Sequence, residues 1–189
     1  MKVIGITGKS GSGKTTFASL LAQKLNCKHI DVDEIGHKSL FQPEILTSLC
    51  NKFGLGILDE CGNINRKKLG DIVFSQSQKM DILNGLTWNY MKATLDGILS
   101  QDDKFIILDW ALLPNSEYWN KCDFKVLVYS DDFERKVKVL ERDNISEDYF
   151  NKRESASVDY SSFEFDYIFE NDYNLQTMNE FVNNLNFNI

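Results

Sequence analysis

The residues between positions 8 and 15 have the types and the spacing of a phosphate-binding site. Gly8-Lys9-Ser10-Gly11-Ser12-Gly13-Lys14-Thr15 satisfies the pattern G-x-x-x-x-G-K-[ST], and it stands between an apolar run and a stretch with helical spacing. Glycines let several backbone N–H groups converge on one anion at the positive end of the following helix. In such a loop the lysine bridges the β and γ phosphates of a nucleotide and the hydroxyl after it binds Mg²⁺. The pattern therefore predicts an ATP site with a Mg²⁺ ion on Thr15, and its residues are Gly8, Ser10, Gly11, Ser12, Gly13, Lys14, Thr15 and Thr16.

Carboxylates follow two other apolar runs. Asp31 and Asp33 close the second run, and Asp109 closes the run at 105–108. The carboxyl ends of parallel strands face the crevice in which ligands of open α/β sheets bind. Alternation along an extended segment puts Asp31 and Asp33 on one side, where Asp33 is favoured to accept the proton of a substrate hydroxyl; a helix cap is the other interpretation of Asp33. Asp109 fits a Walker B carboxylate that supports the Mg²⁺ ion or its water, or else an ordinary strand end.

Basic residues recur after the fourth apolar run. Lys138 and Arg142 are four residues apart and so share one face of a predicted helix, with Arg135 three positions before Lys138. Cations brought by a lid stabilise the charge on a phosphoryl group in transfer, which makes Arg142 and Arg153 candidates for that role. A solvated basic face paired with neighbouring glutamates is the alternative.

Alternating strands and helices must position these residues. The apolar runs predict strands, and apolar residues at helical spacing predict helices. Strands are predicted at 2–7, 28–32, 105–109, 124–129 and 167–169, and the plainest helices outside the middle of the chain at 15–25, 133–142 and 175–185. This alternation is typical of an α/β fold with a mainly parallel sheet.

Two segments do not fit a simple strand-helix alternation. The interval 35–103 is too long for one crossover and has helical patterns at 43–53, 66–74 and 79–99. We interpret it as an inserted helical subdomain, which either builds an acceptor pocket or is only a structural cap. The polar stretch at about 144–162 is either a mobile lid or a connecting helix and loop. The chain of 189 residues is expected to form a single domain that carries both segments.

Composition excludes several classes of protein. The net charge of −7 argues against a nucleic-acid partner, since phosphate backbones are held by excess Lys and Arg. No run of about 18 apolar residues is present to cross a membrane, and Met1 leads directly into a strand instead of a signal peptide, so a cytoplasmic protein is predicted. As a separate expectation, the protein is a monomer. The four cysteines are widely spaced with no zinc pattern and are interpreted as reduced thiols. Tryptophans 88, 110 and 119 are interpreted as core or rim residues.

With these residues identified, the chain resembles the dephospho-CoA kinase family over nearly its whole length. The family's D-A-D with a basic residue shortly after it is similar to Asp31-Val32-Asp33 and His37. A family segment running from f-G to V-F resembles the stretch 53–74, which includes Arg66, and Leu83-Asn84 resembles the start of its L-N-x-x-x-H-P. Later matches are Leu108-Asp109 with Leu112-Leu113 for l-D-x-P-L-L, Arg142-Asp143 for R-d, and Asp166-Tyr167-Ile168 with Asn171 for D-y-v-i-x-N.

The resemblance implies a fold, a reaction and roles for named residues. The implied fold is that of P-loop nucleoside monophosphate kinases, with a five-stranded parallel core, a helical acceptor domain and a lid. The implied reaction converts ATP and dephospho-CoA to ADP and CoA, with the ribose 3′-hydroxyl attacking the γ-phosphoryl group. Asp33 falls on the family's proposed catalytic base, and Lys14 and Arg142 fall on its nucleotide site. Residues expected on the acceptor side are Asp31, Asp33, His37, Arg66 and Asp109.

The chain departs from the family pattern at several positions. Trp88-Asn89 stands where the family has H-P, Ala111 stands where it has the proline of P-L-L, and the lid region lacks the family's arginine cluster. Two alternatives therefore stay open: a P-loop kinase for another acceptor, such as a nucleoside or deoxynucleoside monophosphate, and an ATP-binding relative that has lost transfer activity. A switch GTPase is disfavoured, because no N-K-x-D segment is present.

Overall fold

The computed structural model describes residues 1–187, which contain five strands and eight α-helices. The strands are β1 (Lys2–Thr7), β2 (Lys28–Asp31), β3 (Phe105–Asp109), β4 (Phe124–Tyr129) and β5 (Tyr167–Glu170). The helices are α1 (Lys14–Leu25), α2 (Val32–Ser39), α3 (Pro43–Phe53), α4 (Arg66–Val73), α5 (Ser77–Leu99), α6 (Asp132–Asp143), α7 (Glu147–Ser155) and α8 (Leu175–Asn184). In the described part of the chain, no helix combines the length and the apolar character that a membrane crossing requires.

All five strands form one parallel sheet in the order β2-β3-β1-β4-β5. The central strand β1 is hydrogen-bonded to β3 on one side and to β4 on the other. Strand β3 is buried along its whole length, as expected of an apolar run covered on both faces. The predicted parallel α/β sheet is therefore confirmed, and the strand order puts the carboxyl ends of β1, β3 and β4 side by side.

Different elements cover the two faces of the sheet. Helices α1 and α8 pack on one face, where Phe17 and Leu21 meet Ile4, Val126 and other buried side chains. The opposite face of β1 is covered by the segment after β3. A Cβ atom built on Gly5 would lie 2.7 Å from both the Leu113 Cδ2 and the Cys122 Sγ atoms. The absence of a side chain at Gly5 therefore allows that segment to pack directly on the central strand.

The chain divides into two compact units. The first contains the sheet and consists of Met1–Asp31, Asp102–Phe150 and the residues from Ser157 onward. The second consists of Val32–Gln101 and Asn151–Ala156, so the boundary passes through α7. It has a hydrophobic core of its own, in which helices α3 to α5 bury Leu49, Ile57 and Leu69. The cysteines are all free thiols, and Trp110 and Trp119 are buried, as predicted.

Candidate active site

The loop between β1 and α1 has the backbone conformation that its glycines predict. Gly11 and Gly13 have φ angles of 85° and 88°, in the left-handed region that favours glycine. A Cβ atom on Gly13 would lie 2.2 Å from the Asn171 Nδ2 atom, so the position also lacks space for a side chain. The loop ends in a tight turn in which the Ser12 N–H donates to the Lys9 carbonyl at 3.1 Å.

Three consecutive carbonyl groups of this loop accept hydrogen bonds from side chains that come much later in the sequence. Arg135 Nη1 donates to the Ser10 oxygen at 3.1 Å, the Tyr173 hydroxyl to the Gly11 oxygen at 3.0 Å, and Asn171 Nδ2 to the Ser12 oxygen at 2.8 Å. We call Arg135, Asn171 and Tyr173 the carbonyl supports. In a planar trans peptide the C=O and the following N–H point in opposite directions. The supports therefore turn the N–H groups of Gly11 and Gly13 to the side away from Arg135 and Asn171.

The first turn of α1 is suited to an anion. No side chain caps it, and it contains no acidic residue. The positive end of the helix dipole lies there together with the N–H groups that have no partner within the helix. Lys14 is half-buried, whereas Thr15 and Thr16 are exposed. Loop and helix together thus provide backbone donors, one ammonium group and two hydroxyls within three residues of sequence.

Asp109 is linked to the start of α1 by a chain of polar contacts. Its Oδ2 atom lies 3.2 Å from His29 Nε2, His29 Nδ1 lies 3.3 Å from Ser19 Oγ, and Ser19 Oγ donates to the Thr15 carbonyl at 2.9 Å. Asp31 is the register partner of Asp109 across β2 and β3. The Oδ1 atom of Asp109 is buried without a hydrogen-bond partner. A carboxylate oxygen in this state, at the carboxyl end of the sheet, suits a hard cation or its bound water.

The basic residues of α6 that lie beside the loop differ in burial. Arg135 is 2% exposed and is held by Asp132, whose pKa lies below its ordinary value because of this hydrogen bond, with a smaller effect of Lys9. Arg142 is exposed, and its Nη2 atom donates to the Ser10 hydroxyl at 3.3 Å. Hydrogen bonds to Asp143 raise the pKa of Arg142, so it is cationic beside the loop. Lys138 stands 4.3 Å from the centre of the Tyr173 ring.

A cleft of about 500 Å³ opens beside the loop within the first unit. Its walls come from the end of β4, the start of α6 and the segment 157–160. Two cationic and two anionic side chains line it, and hydroxyl groups supply most of its other polar atoms. The Ser12 hydroxyl, which faces this cleft, is buried without a partner. The charged and polar residues that line it are Lys9, Ser12, Tyr129, Ser130, Asp132, Arg135, Ser157, Asp159 and Tyr160.

The other predicted site residues belong to the second unit. Asp33 lies in the first turn of α2 and is partly buried, His37 lies in the last turn of the same helix, and Arg66 is the exposed first residue of α4. The expectation that Asp31 and Asp33 share one side of an extended segment is wrong, because β2 ends at Asp31 and α2 begins at Val32. A carboxylate in the first turn of a helix is favoured by the helix dipole, which accounts for this early start.

Sequence reasoning missed the carbonyl supports and the contact of His29 with Asp109. In the sequence, Asn171 belongs to a family pattern that gives it no role, and Arg135 has the same spacing as the exposed Arg142 relative to Lys138 within one residue. The available signal was position: Asn171 directly follows β5 at the same edge of the sheet as the loop. Contacts that span about 125 residues or more of sequence carry no local pattern by which they could be recognised.

The sheet is parallel, its central strand runs into a glycine loop and an uncapped helix, and a cationic side chain lies beside that loop. These features define a protein of the P-loop NTPase fold. A family model described as dephospho-CoA kinase matches residues 2–177. The chain therefore belongs to the dephospho-CoA kinase family, which is a family of ATP-dependent kinases.

Individual relatives agree with this assignment. The chain is 34% identical over 183 residues to the dephospho-CoA kinase of Fusobacterium nucleatum, a match that covers 93% of this chain and 92% of that protein. Among solved structures, TT1252 from Thermus thermophilus has a TM-score of 0.77 at 24% identity and covers 95% of this chain and 92% of its own. The dephospho-CoA kinase from Campylobacter jejuni has a TM-score of 0.58 at 21% identity, with 96% and 93% covered. At these identities the two structures bear on the fold alone.

Proposed function

We propose that this chain transfers the γ-phosphoryl group of ATP to the ribose 3′-hydroxyl of dephospho-CoA. The hydroxyl oxygen forms the new bond to phosphorus, the bond to the β–γ bridging oxygen breaks, and CoA and ADP leave. The observation that carries this proposal is the match of the dephospho-CoA kinase family model over residues 2–177 of a chain that keeps a complete phosphate-binding loop.

In this proposal the first unit binds ATP. The N–H groups of Gly11 and Gly13 and the Lys14 ammonium hold the phosphates, as expected of a loop and helix start of this kind. The remaining loop residues that take part are Gly8, Ser10, Ser12, Thr15 and Thr16. Arg142, which already touches Ser10, adds a positive charge next to the same phosphates.

A Mg²⁺ ion completes the proposed nucleotide site. Thr15 supplies a hydroxyl ligand at the start of α1, and Asp109, or else Asp33, reaches the ion through water. The buried Oδ1 atom of Asp109, which has no hydrogen-bond partner, is the observation that favours an oxygen-binding cation here. When bound, the ion neutralises charge on the β- and γ-phosphoryl oxygens.

Asp33 is the proposed catalytic base, and it takes the proton from the attacking hydroxyl. Asp31, His37, Arg66 and Asp109 are the other residues that we assign to the acceptor side. We further assign acceptor binding to the insertion 35–103 and a lid function to about 144–162. We also propose a cytoplasmic monomer that needs no nucleic-acid or membrane partner, in keeping with its acidic charge and four free thiols.

The test is ADP release with Mg²⁺-ATP in a coupled assay. Dephospho-CoA is compared with a panel of nucleosides and nucleoside monophosphates, and the CoA product is identified by mass. We expect release that depends on dephospho-CoA. Turnover only with a nucleotide acceptor would overturn the choice of acceptor, and measurable ATP binding without any turnover would support a relative that has lost transfer activity.

Replacement of the proposed base gives the first mutational prediction. Asp33→Asn removes the proton acceptor while it keeps the shape of the side chain, so kcat should fall by roughly 10²-fold or more. ATP affinity should be almost unchanged, because the change does not touch the phosphate loop. Asp71→Asn is the matched control, since Asp71 is an exposed aspartate of α4 in the same unit and the charge change is identical. Wild-type turnover of Asp33→Asn would remove Asp33 from the mechanism.

A further inference from the structure

Tyr173 has an unusual backbone conformation next to the phosphate loop. Its φ angle is +59°, and large side chains rarely adopt this left-handed region. The Tyr173 N–H donates to Asn171 Oδ1 at 3.0 Å, so the same amide side chain that supports Ser12 also holds the strained residue. Strained backbone of this kind persists only where surrounding contacts enforce it, and it is concentrated at functional sites. The strain therefore indicates that the position of the Tyr173 side chain matters to the phosphate loop.

The Tyr173 hydroxyl connects two elements of the site. It donates its single proton to the Gly11 carbonyl at 3.0 Å, and the Ser130 hydroxyl lies 2.8 Å away at the end of β4. Because the phenol proton is used by Gly11, Ser130 must be the donor in the second contact. The Lys138 ammonium over the ring fixes the side chain from another direction.

We propose that Tyr173 is a positioning residue for the phosphate loop, and that it sets the affinity for the nucleotide phosphates through the Gly11 carbonyl. This inference rests on the proposed role of the loop as the ATP site. The hydroxyl fixes the peptide between Gly11 and Ser12, and that peptide carries the N–H that closes the turn onto Lys9. This central peptide joins the two peptides that carry the N–H groups of Gly11 and Gly13, so its loss of support makes the direction of those N–H groups less precise even while Arg135 and Asn171 hold them.

The role is separable from a general contribution to folding. Arg135 and Asn171 still hold the carbonyl groups on either side when the Tyr173 hydroxyl is removed. The ring also keeps its place under Lys138. Loss of the hydroxyl therefore frees a single peptide of the loop, and we expect the effect to appear in the binding of ATP before it appears in the folding of the chain.

Tyr173→Phe tests the proposal, with Tyr167→Phe as the matched control. Tyr167 lies on β5, and its hydroxyl also donates to one backbone carbonyl, that of Asn186, at 2.6 Å. Each variant thus loses one hydrogen bond from a tyrosine hydroxyl to a backbone carbonyl, and Tyr173→Phe also loses the bond that Ser130 donates. We expect the Kd for Mg²⁺-ATP, measured by titration calorimetry, to rise about fivefold in Tyr173→Phe. It should stay at the wild-type value in Tyr167→Phe, while both variants melt at similar temperatures.

Steady-state kinetics separate positioning from chemistry. The KM for ATP should rise in Tyr173→Phe while kcat at saturating ATP stays close to the wild-type value. Ser130→Ala, which keeps Tyr173 intact but removes the donor to its hydroxyl, should give a smaller rise in the same direction. An unchanged Kd in Tyr173→Phe, or an equal rise in Tyr167→Phe, would overturn the proposal. Wild-type protein that fails to bind Mg²⁺-ATP would instead overturn the proposed function itself.

Discussion

Cys122 illustrates how one residue's surroundings decide its chemistry. The side chain is buried under the central strand, and its Sγ atom donates to the Tyr118 carbonyl at 3.3 Å. Burial raises the pKa of the Cys122 thiol to about 12, with a partly offsetting effect of Lys125. Cys61 lies in an exposed turn of the second unit. The Cys61 thiol is therefore open to reagents, whereas the Cys122 thiol is buried and harder to ionise than an ordinary thiol.

This difference predicts selective alkylation. Because the thiolate is the reactive form, at pH 8 only about one Cys122 in 10⁴ is ionised even if the reagent reaches it. Iodoacetamide should modify Cys61 in the folded protein and leave Cys122 unmodified, as measured by peptide mass spectrometry. In guanidinium chloride both thiols should react equally, which is the control. Early modification of Cys122 in the native protein would contradict the described packing.

At this scale the sequence predicted which residue types form the loop and missed what holds them. Residues 8–15 are contiguous, so their spacing is visible in the sequence and identifies a phosphate site. Arg135 resembles its neighbours Lys138 and Arg142 in sequence but is buried, because the loop folds back over it. That distinction depends on tertiary contacts with Gly11 and Phe150 and could not be derived from local spacing. The relative positions of Asp31 and Asp33 likewise depend on the start of α2 at Val32, which local spacing does not predict.

At the scale of elements, the link between the loop and α1 depends on Gly13. An alanine there would need a left-handed backbone, at a cost of about 1–2 kcal/mol, and its Cβ would collide with Asn171. We expect Gly13→Ala to lower the free energy of unfolding by about 2–3 kcal/mol, since the bond from Asn171 to Ser12 is also lost. ATP affinity should fall by roughly tenfold or more as the helix start is displaced. Chemical denaturation and ATP titration measure the two effects.

Gly62→Ala provides the control for backbone strain. Gly62 has a φ angle of +80°, close to that of Gly13, but a Cβ atom there meets nothing within 4 Å. The free energy of unfolding of Gly62→Ala should fall only by the cost of a left-handed alanine, about 1–2 kcal/mol, and its ATP affinity should equal that of the wild type. If the two glycine variants lost ATP affinity equally, the close approach of Asn171 would not explain the requirement at Gly13.

Elements were the part of the structure that the sequence predicted best. The bounds predicted for β1, β3 and β4 agree with the structure, because each is a short apolar run between turn residues. Strand β2 ends one residue earlier than predicted. Its boundary lies between two aspartates, where the preference of a carboxylate for a helix start competes with the continuation of the strand. The spacing of apolar residues does not show which of these two preferences is stronger.

At the scale of the whole molecule, each of the two compact units has a hydrophobic core that contributes to the stability of the chain. Leu49 is fully buried in the core of the second unit, whereas Leu55 in the same unit is 73% exposed. Leu49→Ala should lower the free energy of unfolding by about 2–5 kcal/mol through lost burial and the cavity left behind. Leu55→Ala should change it by about 0.5 kcal/mol or less. Denaturant unfolding followed by circular dichroism measures both.

ATP affinity is the second property to measure in Leu49→Ala and Leu55→Ala. The loop, α1 and the carbonyl supports all lie in the first unit. The folded fraction of Leu49→Ala should therefore bind ATP with wild-type affinity at a temperature well below its melting point. A large loss of affinity in the folded variant would contradict the assignment of the ATP site to the first unit alone.

The order in which the carbonyl supports occur along the chain has a consequence for biosynthesis. The loop leaves the ribosome well before its last supports, because Asn171 and Tyr173 follow the loop residues that they hold by 159 and 162 residues. At about 5–20 residues per second, the nascent loop waits on the order of ten seconds for them. Until then the glycine-rich segment lacks the contacts that fix its peptides. A nascent chain should therefore acquire nucleotide affinity abruptly, once Asn171 and Tyr173 have emerged, instead of gradually as the sheet grows.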